Sequence, residues 1–202
     1  KHISKSYINQ IKIPIPDLPI QKEIISIIGK AKKLQNSRRE ANKNSYTITK
    51  TLFFEMFGNP SLNPKGFHEQ KLGEVSIISM GGTPSTKKPE YWKNGTINWM
   101  KSGDIKGDFI KTIPQKITEL GLKNSNAKEY GKGNVVIALN GQGKTRGTTG
   151  ILELPTTSNQ SVASISPKPD LNSIYLHFNL KYRYQELRDL TGDKQRSGLN
   201  LT

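Results

Sequence analysis

The segment with the strongest chemical pattern is residues 135–145, Val-Val-Ile-Ala-Leu-Asn-Gly-Gln-Gly-Lys-Thr. It nearly matches the phosphate-binding pattern in which a strand leads through a Gly-Lys-Thr loop into a helix. That chemistry needs the helix to begin directly after the loop, because its first N–H groups hold the phosphates. Residues 146–151 are instead rich in glycine and β-branched residues, which predicts loop and strand. Nucleotide binding through Ala138–Thr145 therefore remains only an alternative.

The same segment carries polar side chains suited to nucleic acid. Amides, hydroxyls and cationic groups are the ones proteins use on base edges and phosphates, and glycines allow close backbone approach. We therefore favour a DNA-contacting loop over a plain hairpin. The main candidates are Gln142, Lys144, Thr145 and Arg146. Weaker candidates are Thr83, Lys101, Ser102, Asn140, Lys194, Gln195 and Arg196.

No residue pattern indicates catalysis or a bound metal. His2, His68 and His177 lack metal-ligand spacing, so each is predicted to be structural or solvated. The carboxylates Asp104 and Asp108 have no partner motif. The absence of cysteine excludes disulfides and thiolate metal sites. We therefore expect a non-catalytic protein without metal or cofactor.

The composition predicts a polyanionic partner. Lys and Arg number 31 against 16 Asp and Glu, which leaves a formal charge of +15 and a pI of about 9.9. Such an excess favours nucleic acid first and an anionic membrane surface second. No apolar run approaches the about 18 residues that a membrane span needs, and no leader segment opens the sequence. We expect a cytoplasmic protein that does not enter the membrane.

A long helix predicted over Asp17–Phe57 must position whatever the rest of the chain binds. At 1.5 Å per residue this helix would extend about 60 Å. Apolar or small residues recur three or four positions apart, which places them on one seam, and such a seam must be buried against another helix. The seam residues are Ile24, Ile28, Ala31, Leu34, Ala41, Ser45, Ile48, Leu52 and Met56.

The chain after this helix predicts a mixed α+β domain. The expected divisions are a lead-in at 1–16, the helix at 17–57, a hinge loop at 58–66 and the α+β domain at 67–202. Short β-branched runs between glycines predict strands at Leu72–Met80, Ile97–Met100, Asn134–Leu139, Gly150–Leu154 and Ser161–Ser166. One helix is expected around Asn172–Leu190.

Several phrases occur in an order typical of one family. They are Ile-Pro-Ile-Pro-Asp-Leu-Pro-Ile-Gln-Lys at 13–22, Gly-Asn-Pro at 58–60, Asn-Pro-Lys-Gly-Phe at 63–67, Gly-Gly-Thr-Pro-Ser at 81–85, Tyr-Trp at 91–92, Gly-Asp-Ile at 103–105, Gly-Gln-Gly-Lys-Thr-Arg-Gly at 141–147 and Asn-Gln at 159–160. Through these sequence motifs, essentially the whole chain resembles the specificity subunits of Type I restriction–modification systems. The resemblance implies a long coiled-coil-forming helix followed by a target recognition domain.

The resemblance also implies a division of labour. Each recognition domain of such a subunit reads one half of a split site in double-stranded DNA, and conserved helices pack as an antiparallel coiled coil that sets the spacing. Methyl transfer and cleavage belong to the methyltransferase and restriction subunits. This chain departs from the pattern by having one such helix and one such domain, so its helix is expected to pair with a second copy or a second conserved helix. A coiled-coil protein that binds nucleic acid without sequence preference is the remaining alternative.

The two ends of the chain suggest a repeat. Lys1-His2-Ile3-Ser4 resembles Leu199-Asn200-Leu201-Thr202, which predicts that the chain spans about one period of a two-part repeat. On this hypothesis residues 1–16 are the tail of a preceding recognition domain.

Overall fold

The computed structural model describes residues 9–141 and 143–189. The longest element is helix α1, Leu18–Phe57, with 40 residues. It begins one residue after the predicted start and ends at the predicted residue. At its beginning the Gln21 side chain donates to the Pro16 carbonyl over 2.6 Å. At its end Gly58 has a φ of +78°, a left-handed conformation that commonly terminates helices.

The predicted seam of α1 is exposed in the single chain. The exposed fractions are 45% for Ile24, 59% for Ile28, 71% for Leu34, 59% for Ile48 and 52% for Leu52. Ala31, Ala41, Ser45 and Met56 are also exposed. Ile20 and Ile27 widen the apolar face in the first half of the helix, since both lie within the same stripe at 100° per residue.

The chain divides into two compact units between Glu55 and Met56. The second unit contains two sheets. The larger has the strand order β1-β8-β5-β6-β3, with β1 at Ser76–Met80, β8 at Val162–Pro167, β5 at Val135–Ala138, β6 at Thr149–Leu152 and β3 at Phe109–Ile110. Its neighbours are antiparallel except β3 and β6, which are parallel. The smaller has the order β4-β2-β7, with β4 at Lys116–Ile117, β2 at Ile97–Met100 and β7 at Thr157–Ser158.

The helices of this unit are short. They are α2 at Leu72–Val75, α3 at Glu119–Lys123, α4 at Ser173–Tyr182 and α5 at Tyr184–Asp189, with 3₁₀ turns at Pro89–Tyr91 and Ser102–Asp104. The long helix and the mixed domain confirm the predicted fold class.

Strand β5 is buried on both faces, which explains its continuous apolar run. Side chains alternate along a strand, so Val136 and Ala138 join one cluster with Met100 and Tyr130. Val135 and Ile137 join a second cluster, in which Leu176 and Leu180 of α4 also pack. The core therefore lies on both sides of the strand that leads into the glycine-rich loop.

Two predicted elements differ in type or continuity from those in the structure. The segment predicted as one strand over Leu72–Met80 begins as α2 and becomes β1 only at Ser76, because Gly73 and Glu74 have little β-propensity. The single helix predicted around Asn172–Leu190 is divided at Arg183 into α4 and α5. The Arg183 guanidinium donates there to the Pro60 carbonyl and to Glu186.

Candidate nucleic-acid interface

The ends of five strands meet at one edge of the second unit. Strands β1 and β5 both run antiparallel to β8, so their carboxyl ends lie beside the start of β8. Strands β2 and β7 are parallel and end together, with Met100 opposite Ser158. The short link from β7 to β8 joins the two sheets at this point. We define the loop edge as residues 81–85, 101–104, 139–141, 143–148 and 159–161.

Backbone hydrogen bonds fasten the loop edge to the link between β7 and β8. The Gly82 N–H donates to the Ser158 carbonyl over 2.8 Å, and the Asn159 N–H donates to the Met100 carbonyl over 3.0 Å. The Leu139 N–H donates to the Ser161 carbonyl over 2.8 Å. Three loops that are distant in sequence are therefore held by one short turn.

All seven predicted DNA contacts that fall on described residues lie at this loop edge. Lys101, Asn140 and Lys144 are exposed, whereas Thr83, Ser102 and Thr145 are partly buried. The Lys101 ammonium lies 5.4 Å from the centre of the Trp99 ring, and its backbone N–H donates to Asp104 over 2.8 Å. The predicted contacts Gln142, Lys194, Gln195 and Arg196 lie outside the described residues.

Arg146 differs from its neighbours because it is buried, with 8% of its surface exposed. Its side chain lies within the loop edge and away from the open surface. A role at a base edge would require it to move outward. Lys144 is the predicted cation of this loop whose side chain already faces solvent.

Helix α5 holds the loop after β5. The Tyr184 hydroxyl donates to the Lys144 carbonyl over 2.8 Å, and the Arg188 guanidinium donates to the Gly143 carbonyl over 2.7 Å. Sequence reasoning missed both anchors, because no spacing pattern connects residues about 40 positions apart. The Lys144 backbone is therefore fixed while its ammonium remains in solvent.

The phosphate-loop alternative fails on the local fold. After Thr145 the chain turns into β6, which pairs antiparallel with β5. In the described residues that follow this loop, the next helix begins only at Ser173. The row of helix N–H groups that would hold phosphates is therefore missing from this position.

A polar cluster beneath the loop edge is structural. His177 is fully buried and its Nε2 donates to Asp108 Oδ1 over 3.0 Å. Its Nδ1 lies 3.1 Å from the Thr149 hydroxyl, and Lys181 donates to the same Asp108 oxygen. These contacts give His177 a structural role, one of the two outcomes predicted for it, and provide the partners for Asp108 that the sequence did not show.

The pKa of Asp108 is lowered from 3.8 to about 2, chiefly by the hydrogen bond from His177. Burial opposes this effect, and the Lys181 ammonium adds to it. A threonine, histidine and aspartate in this order resemble a hydrolytic triad. Thr149 is only 8% exposed, however, and His177 is buried, so the hydroxyl and the imidazole are shielded from solvent. The cluster instead connects α4 to β6 below the loop edge.

None of the described helices is long and apolar enough to cross a membrane. Across residues 9–141 and 143–189, no three His, Asp or Glu side chains are grouped so as to hold a metal ion.

Comparisons with known proteins agree on one family. The profile of the Type I restriction modification DNA specificity domain matches residues 64–202. The MjaIX specificity subunit of Methanocaldococcus jannaschii is 30% identical over 134 residues, which are 64% of this chain and 30% of that protein. The EcoR124I/EcoR124II specificity subunit of Escherichia coli is 26% identical over 191 residues, which are 88% of this chain and 45% of that protein.

Solved structures show the same fold. The HsdS subunit from Thermoanaerobacter tengcongensis has a TM-score of 0.54 and 25% identity, covering 90% of this chain and 45% of that one. The S subunit from M. genitalium has a TM-score of 0.56 and 16% identity, covering 87% and 46%. The chain thus spans less than half the length of the relatives it matches.

Proposed function

Because the chain belongs to the Type I restriction modification DNA specificity family, we propose that it recognises one half of a bipartite site in double-stranded DNA. The observation that supports this most directly is the loop edge. It gathers polar and cationic side chains from distant parts of the chain onto the ends of buried strands. Sites carried by loops on a rigid scaffold are typical of binding surfaces.

The charge supports a large phosphate contribution to this binding. The net charge of +15 favours a partner that releases counterions when bound, so affinity should fall steeply with salt. The contacts we propose are Lys101, Ser102, Thr83, Asn140, Lys144 and Thr145, together with Gln142, Arg146, Lys194, Gln195 and Arg196. Sequence preference would come from the polar side chains that reach base edges.

The proposed role is non-catalytic. The chain would place a methyltransferase subunit and a restriction subunit on the DNA, and those partners would carry out the chemistry. Helix α1 would pair through its exposed seam with a second copy or with a second conserved helix, and so set the distance between half-sites. The proposed divisions are 1–16, 17–57, 58–66 and 67–202.

Selection from random duplexes tests this function. The 202-residue chain would be used alone and assembled with the methyltransferase subunit, and bound duplexes would be sequenced. Enrichment of a defined half-site is the expected result. Equal recovery of all sequences in both forms would contradict specific recognition and favour a protein that binds nucleic acid without sequence preference.

A further inference from the structure

Two polar side chains at the loop edge, Thr83 and Gln160, are joined by a hydrogen bond in a way that suits contact with a DNA base. The Thr83 hydroxyl donates to Gln160 Oε1 over 2.7 Å. Gln160 is exposed and Thr83 is partly buried. A hydrogen bond between side chains in contact with water adds little to the free energy of folding. The pair is therefore better explained by the hydrogen-bonding groups that it offers to a ligand than by a contribution to stability.

The backbone on the Thr83 side is fixed. Gly82 donates to the Ser158 carbonyl over 2.8 Å and accepts from the buried Trp99 indole over 2.9 Å. A Cβ at Gly81 would lie 2.1 Å from the Ser158 carbonyl oxygen, and one at Gly82 would lie 2.4 Å from Asn126. Only glycine permits this approach, which brings Thr83 within reach of Gln160.

The backbone on the Gln160 side is equally fixed. Gln160 is the second residue of a turn closed by the Val162 N–H, which donates to the Asn159 carbonyl over 3.3 Å. The Asn159 side chain accepts from the Ser161 N–H over 3.1 Å. The backbone N–H of Asn159 donates to the Met100 carbonyl. The backbone that carries Gln160 is therefore fixed, and the hydrogen bond from Thr83 orients its amide.

We propose that Thr83 and Gln160 form a base-reading pair, in which Gln160 contacts adenine in the major groove and Thr83 sets the direction of its amide. Adenine presents an acceptor at N7 and a donor at N6, the pattern that a glutamine amide matches with two hydrogen bonds. The Thr83 hydroxyl uses one lone pair of Oε1 and leaves the second for the N6 amino group. Among residues 9–141 and 143–189, none accepts a hydrogen bond from Gln160 Nε2, which can donate to N7.

This inference depends on the proposed function, because it names one of its specificity contacts. The sequence predicted only part of this pair. Thr83 was a weaker candidate for a DNA contact, whereas Gln160 was noted only as part of the Asn-Gln motif at 159–160. The 77 positions between them hide their contact from any local pattern.

The test repeats the random-duplex selection with variants of the assembled protein. Gln160→Ala should reduce the preference for A·T at one position by about 5- to 150-fold, the range for one bidentate base contact, and leave other positions within about twofold. Gln160→Glu should move that preference toward C·G, because a carboxylate accepts from the cytosine amino group. Thr83→Val should weaken it, and Thr83→Ser should restore it.

Gln70→Ala is the matched control, since Gln70 is an exposed glutamine outside the loop edge; it should leave every preference unchanged. If the wild-type protein shows no base preference at any position, both the proposed function and this inference are contradicted. A wild-type preference that survives Gln160→Ala intact, or a uniform loss at all positions, would overturn the inference alone. So would a loss confined to a position that is not A·T.

Discussion

The cluster of Asp108, His177 and Lys181 allows a stability prediction with a defined pH dependence. Asp108→Asn removes the charge and keeps the shape of the side chain. The drop in the Asp108 pKa from 3.8 to about 2 corresponds to about 2.4 kcal/mol, at about 1.36 kcal/mol for each pKa unit. Because the side chain is 36% exposed, solvent screening reduces the expected loss to about 1–2 kcal/mol.

The sign of the pH dependence follows from the lowered pKa. A carboxyl group that is more acidic in the folded state stabilises the fold at pH values above its unfolded pKa. The stabilisation by Asp108 should therefore be complete above about pH 5 and disappear as the pH falls through about 2. The free energies of unfolding of wild type and Asp108→Asn should differ at neutral pH and converge in acid.

Urea unfolding followed by tryptophan fluorescence measures this difference. Trp92 and Trp99 both lie in the second unit, so the signal reports on the unit that contains Asp108. Asp170→Asn is the control, because Asp170 is an exposed aspartate outside this cluster. A deficit in Asp108→Asn that is as large at pH 2.5 as at pH 7 would refute the electrostatic explanation, as would no deficit at pH 7.

Three further predictions concern binding and spacing. Lys144→Ala should lower the slope of log affinity against log salt by about 0.9, the value for one lost phosphate contact. Lys132→Ala, at the opposite end of β5, should leave the slope unchanged. Equal slopes for the two variants would show that Lys144 does not contact DNA. Tyr184→Phe should destabilise the loop after β5 by about 0.5–1.5 kcal/mol, the net value of one hydrogen bond, which amide exchange at Lys144 to Thr148 measures; unchanged exchange would show that the hydroxyl does not anchor the loop. A four-residue insertion after Arg38 should lengthen helix α1 by about 6 Å and change the preferred half-site spacing of the assembled complex; an unchanged spacing would contradict the spacer role.

The features that the sequence predicted best depend on neighbouring residues. Helix α1 and strand β2 were located to within one residue, because helical and strand periodicities are local. The preference for a loop and strand over a phosphate-binding loop also held, since the residues just after Thr145 are poor helix formers. The net charge and the order of the family phrases likewise needed no structure.

The composition of the loop edge was decided by tertiary structure. Thr83, Lys101, Asn140 and Gln160 come together because β1, β5 and β8 pair in one register and β2 pairs with β7. Such pairings join residues far apart in sequence, and their register follows from how the whole core packs. The same packing buries Arg146, which its local sequence made as good a candidate as Lys144, and supplies Asp108 with partners from α4. The sequence by itself determined which chemical groups were available, and the fold determined which of them face solvent together.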